Sequence, residues 1–88
     1  MSQYEFIFLL NEKEELKKLK ELIVSISGKL TEEKSWGKKT LSYSIKKNSS
    51  ADFYEWKLEL TPSKISELKK KLSFNEKLIR YLLLKKEN

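Results

Sequence analysis

Between Ser35 and Lys47 the chain carries Lys38, Lys39, Lys46 and Lys47 and no acid. Paired lysine ammonium groups can hold phosphate oxygens, and this is the chemistry that the residue types favour. Lys85 and Lys86 repeat the pair near the C-terminal end, and Arg80, the only arginine, lies shortly before them. The formal net charge is +6, which on a small domain points to a polyanion, most often nucleic acid. Lysine attracts phosphate as a point charge without the bidentate fork of arginine, so backbone contacts are expected more than base reading. The same lysines also have a plainer use. On edge strands they block strand-to-strand association, and the two uses are compatible.

Other chemistry is poorly provided for. The chain has no cysteine and no histidine, which removes disulfides, thiolate nucleophiles, the commonest general base and the commonest metal ligand. Its only glycines, Gly28 and Gly37, make no phosphate-cradling loop. The acids lie among lysines without paired catalytic spacing. No enzyme activity, cofactor, metal or small-molecule substrate is expected. The longest apolar run, Phe6 to Leu10, is too short to span a membrane, and Met1 to Glu5 shows no secretion signal. A soluble, cytoplasmic protein with no membrane partner is expected.

The elements that would position these residues follow from periodicity. Tyr4 to Leu10 is a central strand, with Phe6, Phe8 and Leu10 on one face and Glu5, Ile7 and Leu9 on the other. Asn11 is placed to cap a helix over about residues 12–27, whose stripe is Leu16, Leu19, Leu22, Ile23 and Ile26. Gly28 is expected to end it in a left-handed conformation. Residues 29–47 form one long strand bent at Trp36-Gly37, with Leu41, Tyr43 and Ile45 toward the core. A turn over 48–51 leads to a strand over 53–60, with Tyr54, Trp56, Leu58 and Leu60 inward. Both tryptophans fit strand cores. Thr61-Pro62 starts a second helix, with Thr61 as its cap and a stripe of Ile65, Leu68 and Leu72. A last strand spans 78–84, and a charged tail follows.

The order β-α-β-β-α-β over 88 residues implies a single domain, 1–88, of α+β class. Its architecture is a ferredoxin-like two-layer sandwich, with two helices on one face of a four-stranded antiparallel sheet. The first and third strands are central. The opposite face is left open and carries Glu5, Ile7, Leu9, Phe53, Glu55, Lys57, Glu59, Arg80, Leu82 and Leu84. An RNA-recognition motif stacks bases on such a face, but its third strand carries basic, glycine and aromatic residues. Here that strand begins Ala51-Asp52-Phe53-Tyr54-Glu55-Trp56. An apolar, partly acidic face suits a protein partner better. Two further alternatives are a free-standing interaction or regulatory domain that dimerises through this face and an acylphosphatase-like hydrolase. The second would need an anion loop where the acidic Asn11-Glu12-Lys13-Glu14 stands.

Three segments carry a resemblance to a known family. They are Tyr4-Glu5 leading into a strand that closes on Leu10-Asn11, then Trp36-Gly37-Lys38-Lys39-x-Leu41-x-Tyr43-x-Ile45-x-Lys47, then Phe74-Asn75-Glu76-x-Leu78-Ile79-Arg80. Together they resemble the bacterial small-subunit ribosomal protein six family. Ser44 stands where that family usually has proline, and Ser73 where it usually has a basic residue. The resemblance implies a non-catalytic constituent of the small ribosomal subunit. Such a protein binds the central domain of 16S ribosomal RNA as a heterodimer with ribosomal protein eighteen, among other small-subunit components. Lys38, Lys39, Lys46, Lys47, Arg80, Lys85 and Lys86 are then the candidates for RNA. Glu5, Ile7, Leu9, Phe53, Glu55, Leu82 and Leu84 are the candidates for the partner protein.

Overall fold

Alternation on the first strand organises the molecule. The computed structural model describes residues 2–45 and 48–86. Its elements in chain order are β1 (Ser2–Leu10), α1 (Glu14–Ser25), β2 (Lys29–Ile45), β3 (Asn48–Leu60), α2 (Ile65–Ser73) and β4 (Leu78–Lys86). A short 3₁₀ turn, Pro62–Lys64, precedes α2. The four strands form one antiparallel sheet in the order β2-β3-β1-β4, so β1 and β3 are central, as the sequence implies. This is the ferredoxin-like arrangement.

Every second residue of β1 is buried: Tyr4, Phe6, Phe8 and Leu10. Tyr54, Trp56, Leu58 and Leu60 of β3 bury on the same side. Phe6 and Phe8 stack with centroids 4.5 Å apart, and Trp56 meets both rings edge-on, at 6.3 and 4.9 Å. Leu19 and Ile23 of α1 and Leu68 and Leu72 of α2 close the core over these rings. Each fully buried side chain of this kind adds about 1.5–3 kcal/mol of transfer free energy, which pins the register as well as the layer.

Several sequence expectations are corrected. Helix α1 starts at Glu14 after a Lys13 N-cap position without a side-chain cap. Asn11 is used elsewhere: its Nδ2 donates to the Ser50 carbonyl at 3.1 Å, joining the ends of β1 and β3. Thr61 likewise makes no side-chain cap, although Pro62 does open the helical turn. The stretch 48–51 belongs to β3, and Lys85 and Lys86 continue β4 instead of forming a tail. Leu41 is only half-buried and lies outside the core cluster, because Thr40, paired with Ser50, takes the helix-side position and Leu41 alternates to the open face. The side chains of Tyr43 and Ile45 fall outside the described residues. Trp36 is 53% exposed, since it sits on an edge strand; Trp56 alone is core.

The end of α1 is the most informative correction. The Gly28 amide donates to the Ile23 carbonyl at 2.8 Å and the Ser27 amide to that of Val24 at 3.0 Å, the paired bonds of a Schellman closure. That closure puts the left-handed residue at Ser27, with φ 62°, one place before the glycine. Gly28 is needed for space instead. A Cβ there would lie 2.9 Å from Ile23 Cγ2 and 3.2 Å from Leu60 Cδ1. Gly37, by contrast, has φ +81° and open surroundings, so there conformation is the constraint.

Cross-strand ion pairs finish the sheet. Lys57 Nζ lies 3.0 Å from Glu32 Oε2, joining β3 to the edge strand β2, and Lys86 lies 3.7 Å from Glu5, joining β4 to β1. The hydrogen bond and charge of Lys57 hold the Glu32 carboxyl below its ordinary range, and Glu32 raises Lys57 in return. These are two views of one exposed interaction, of small net effect on stability.

Two outcomes test this account. Ser27→Gly should stabilise the chain by roughly 0.5–1 kcal/mol by relieving a left-handed serine. Gly28→Ala should destabilise it by about 1–3 kcal/mol through overpacking. Urea denaturation measures both, and the same sign for the two would contradict the assignment. The folded Glu32 carboxyl titrates below the unfolded one. Its contribution is therefore present above the unfolded value and lost as pH falls through the folded one. The stability difference between wild type and Glu32→Gln should shrink to nothing as the pH drops through the acidic carboxylate range. A difference that persists below it would show that the pair is not its source.

Candidate nucleic-acid and partner interface

The register reads out the open face row by row. One row runs Gly37, Phe53, Leu9, Arg80; the next Lys34, Glu55, Ile7, Leu82; the next Glu32, Lys57, Glu5, Leu84. Opposed residues of neighbouring strands share a face, so the expected partner residues Glu5, Ile7, Leu9, Phe53, Glu55, Leu82 and Leu84 do lie together. Glu5, Ile7, Leu9, Phe53 and Glu55 are half-buried on the central strands, whereas Leu82 and Leu84 on the edge are 52% and 45% exposed.

The face divides into two parts. Ile7, Leu9, Phe53 and Leu82, with Arg80 at the rim, line a shallow apolar hollow of about 340 Å³. Beside it, Glu32, Lys34, Lys57, Glu5 and Lys86 make a charged lattice. Arg80 is the one charged residue of its lining. Among the described residues no group of acids could hold a metal ion, and no helix is long and apolar enough to cross a membrane.

The basic candidates do not form one patch. Lys38 and Lys39 are exposed on β2 beside Asp52 and Ala51, adjoining the row that ends in Arg80. Lys39 and Arg80 border the apolar end of the open face, whereas Lys38, in register with Asp52 and so with Leu10, belongs to the helix-side rows. Lys85 and Lys86 lie at the opposite end, in register with Tyr4 and Gln3. Opposed residues share a face, so Lys86 belongs with the open rows and Lys85 with the helix-side rows. Lys46 and Lys47 lie outside the described residues. The local reason for the Lys38-Lys39 position is a bulge. β2 slips register between Ser35 and Gly37, leaving Trp36 as an extra residue opposite no partner in β3. A second slip at Thr31 lets its hydroxyl donate to the Lys57 carbonyl at 3.0 Å. These two bulges, with a further register slip between Thr40 and Ile45, also make the edge strand a poor template for another strand.

Sequence reasoning missed two exposed aromatic residues, Trp36 and Phe74, the latter 74% exposed after α2. The signal for Trp36 was available in the Trp-Gly pair itself, since the residue beside a bulge glycine is the one re-aimed. Nothing in the periodicity marks Phe74, because it lies in the connection to β4. There Asn75 Oδ1 accepts from the Lys77 amide at 2.9 Å and Lys77 pairs with Glu12 at 3.2 Å.

Comparison with known proteins agrees with this architecture. The family model described as ribosomal protein S6 matches residues 3–85. A small ribosomal subunit protein bS6 from Geotalea daltonii is 35% identical, with 99% of this chain and 73% of that protein covered. A protein of the same name from Beijerinckia indica is 36% identical over 78% of this chain, but the match spans only 46% of its own length. The crystal structure of 30S ribosomal protein S6 from Thermotoga maritima superposes with a TM-score of 0.84 at 22% identity, covering 97% of this chain and 87% of that one, a likeness of fold. The chain thus belongs to the ribosomal protein S6 family, a family of small-subunit ribosomal proteins and not of enzymes.

Proposed function

We propose that the chain acts as one domain, 1–88, in the cytoplasm, as a structural component of the small ribosomal subunit. In this reading it binds the central domain of 16S ribosomal RNA together with ribosomal protein eighteen. The observation that carries the reading is the helix-free sheet face, with an apolar hollow rimmed by acids on one side and cations on the other. The partner protein seats a side chain among Ile7, Leu9, Phe53 and Leu82, and its basic groups meet Glu5 and Glu55. Arg80 lines this hollow and Lys39 lies at the same end of the face, with Lys38 on the adjoining edge, so a phosphate backbone that reaches them also reaches the docked partner. That proximity is why the two proteins bind RNA better together than apart.

The exposure of Leu82 and Leu84 on β4 also favours a second reading, a free-standing chain that dimerises through the same face. Sedimentation separates the two, because a stable homodimer at micromolar concentration without RNA association supports only the second.

Three outcomes are expected. Fractionation of cell extract on a sucrose gradient should place the chain in the small-subunit peak, and its absence there would sink the reading. RNA affinity should be weak for the chain alone, strong with ribosomal protein eighteen present, and steeply salt-dependent. Equal affinity with and without the partner would count against it. Leu82→Glu should change the folding stability by no more than about 0.5 kcal/mol, since the site is half exposed. It should weaken partner binding by at least about 2 kcal/mol, as measured by calorimetry.

A further inference from the structure

The bulge on β2 leaves one large side chain with no use in the fold. Trp36 is opposite no residue of β3, takes no part in the core cluster and is 53% exposed. Exposing an indole costs transfer free energy that a polar residue would avoid, and the strand needs only an extra residue there, not an aromatic one. The surroundings are cationic. Lys34 Nζ lies 6.0 Å from the Trp36 ring centroid, and Lys38 and Lys39 follow immediately on the same exposed edge. Gly37 between them has no side chain, and a Cβ placed there would meet nothing within 4 Å. Lys34, which also pairs with Glu32 at 3.9 Å, thus lies near the ring, and beyond Gly37 Lys38 and Lys39 continue the edge on the helix-side and open rows.

We propose that Trp36 is a stacking platform for one unpaired nucleobase, with Lys34, Lys38 and Lys39 holding the phosphates on either side of it. The inference rests on the RNA-binding reading above and adds to it a residue and a substrate class, single-stranded RNA. An aromatic face interleaved with cations is what a flipped-out or looped base needs, because every base offers a π-face while its phosphates need counter-charge. A duplex would offer only phosphates to the lysines and no free base to the indole. Charge also distinguishes RNA from a protein partner here. An apolar protein surface would leave Lys38 and Lys39 facing a low-dielectric contact, which is costly, whereas a ribonucleotide strand satisfies ring and cations together.

The test uses the full chain and an unstructured single-stranded RNA octamer, compared with the same sequence as a duplex. Trp56 is 2% exposed, so the tryptophan fluorescence that responds to ligand belongs to Trp36. Single strands should quench it and duplexes should not. Trp36→Ala should bind single strands about 5- to 150-fold more weakly at an unchanged salt slope, and Trp36→Phe should recover much of the loss. The double variant Lys38→Ala, Lys39→Ala should instead reduce the salt slope by about 1.4, at roughly 0.7 per phosphate on single strands. Both variants alter exposed positions, and thermal melts check that they remain folded. Trp36→Ala binding as tightly as wild type would overturn the proposal. So would an equal loss on duplex RNA, or a loss confined to binding of the partner protein. If Trp36→Ala stays in the small-subunit peak with unchanged RNA affinity, stacking fails while the assembly reading stands. If the wild-type chain is absent from that peak, the assembly reading fails, and the octamer titration still decides the stacking.

Discussion

The pairing register of β1 is the constraint on which the rest of the structure depends. Side chains on a strand alternate strictly, so a slip of one residue would turn Phe6 and Phe8 to solvent and bring Ile7 and Leu9 under the helices. The aromatic cluster of Phe6, Phe8, Tyr54 and Trp56 prevents this slip. Phe6 and Phe8 lie 4.5–6.3 Å from the rings they contact, with Phe8 touching all three of the others. The functional face is therefore a consequence of the core. Ile7, Leu9, Phe53 and Leu82 are neighbours only because Phe6, Phe8, Tyr54 and Trp56 are packed on the other side.

A second consequence concerns charge. A sheet with one bare face must keep that face soluble without burying it. Here the chain does so unevenly, with a lattice of Glu32, Lys57, Glu5 and Lys86 over one half and apolar residues over the other. The lattice acts between exposed groups and is screened by salt, so it adds little to folding. It leaves the apolar hollow at the end near Arg80 and Lys39. Solubility and recognition thus occupy different rows of one surface.

Much of this was legible in the residues, and the reason differs by element. The strands β1 and β3 were readable because one-sided burial leaves a period of two in the letters, as Tyr54, Trp56, Leu58 and Leu60 show. The open face followed from the same alternation. Local endings were less legible, because capping is decided by competition among nearby groups. Asn11 has the type of a cap, yet it bonds Ser50, a residue far along the chain that no local rule could supply. Gly28 has the type of a left-handed terminator, but the tight contact with Ile23 and Leu60 claims it for close approach, and Ser27 takes the strain. The seven basic candidates shared a charge, and only the three-dimensional register separates Lys38, Lys39 and Arg80 at one end of the sheet from Lys85 and Lys86 at the other.

The bulge at Trp36 bears on edge protection and on recognition at once. An edge strand of 17 residues is long enough to invite pairing with another chain, and bulges with lysines on either side are a means of preventing it. Thr31 shows that a bulge in this strand can be filled by a small polar residue that bonds back to β3. Trp36 occupies the equivalent irregularity with a large ring that makes no such bond to the sheet. Edge protection explains the bulge, the glycine and the lysines, but it gives no reason for an indole. The difference between the two bulges therefore separates what the fold requires of β2 from what a bound strand of RNA would require of it.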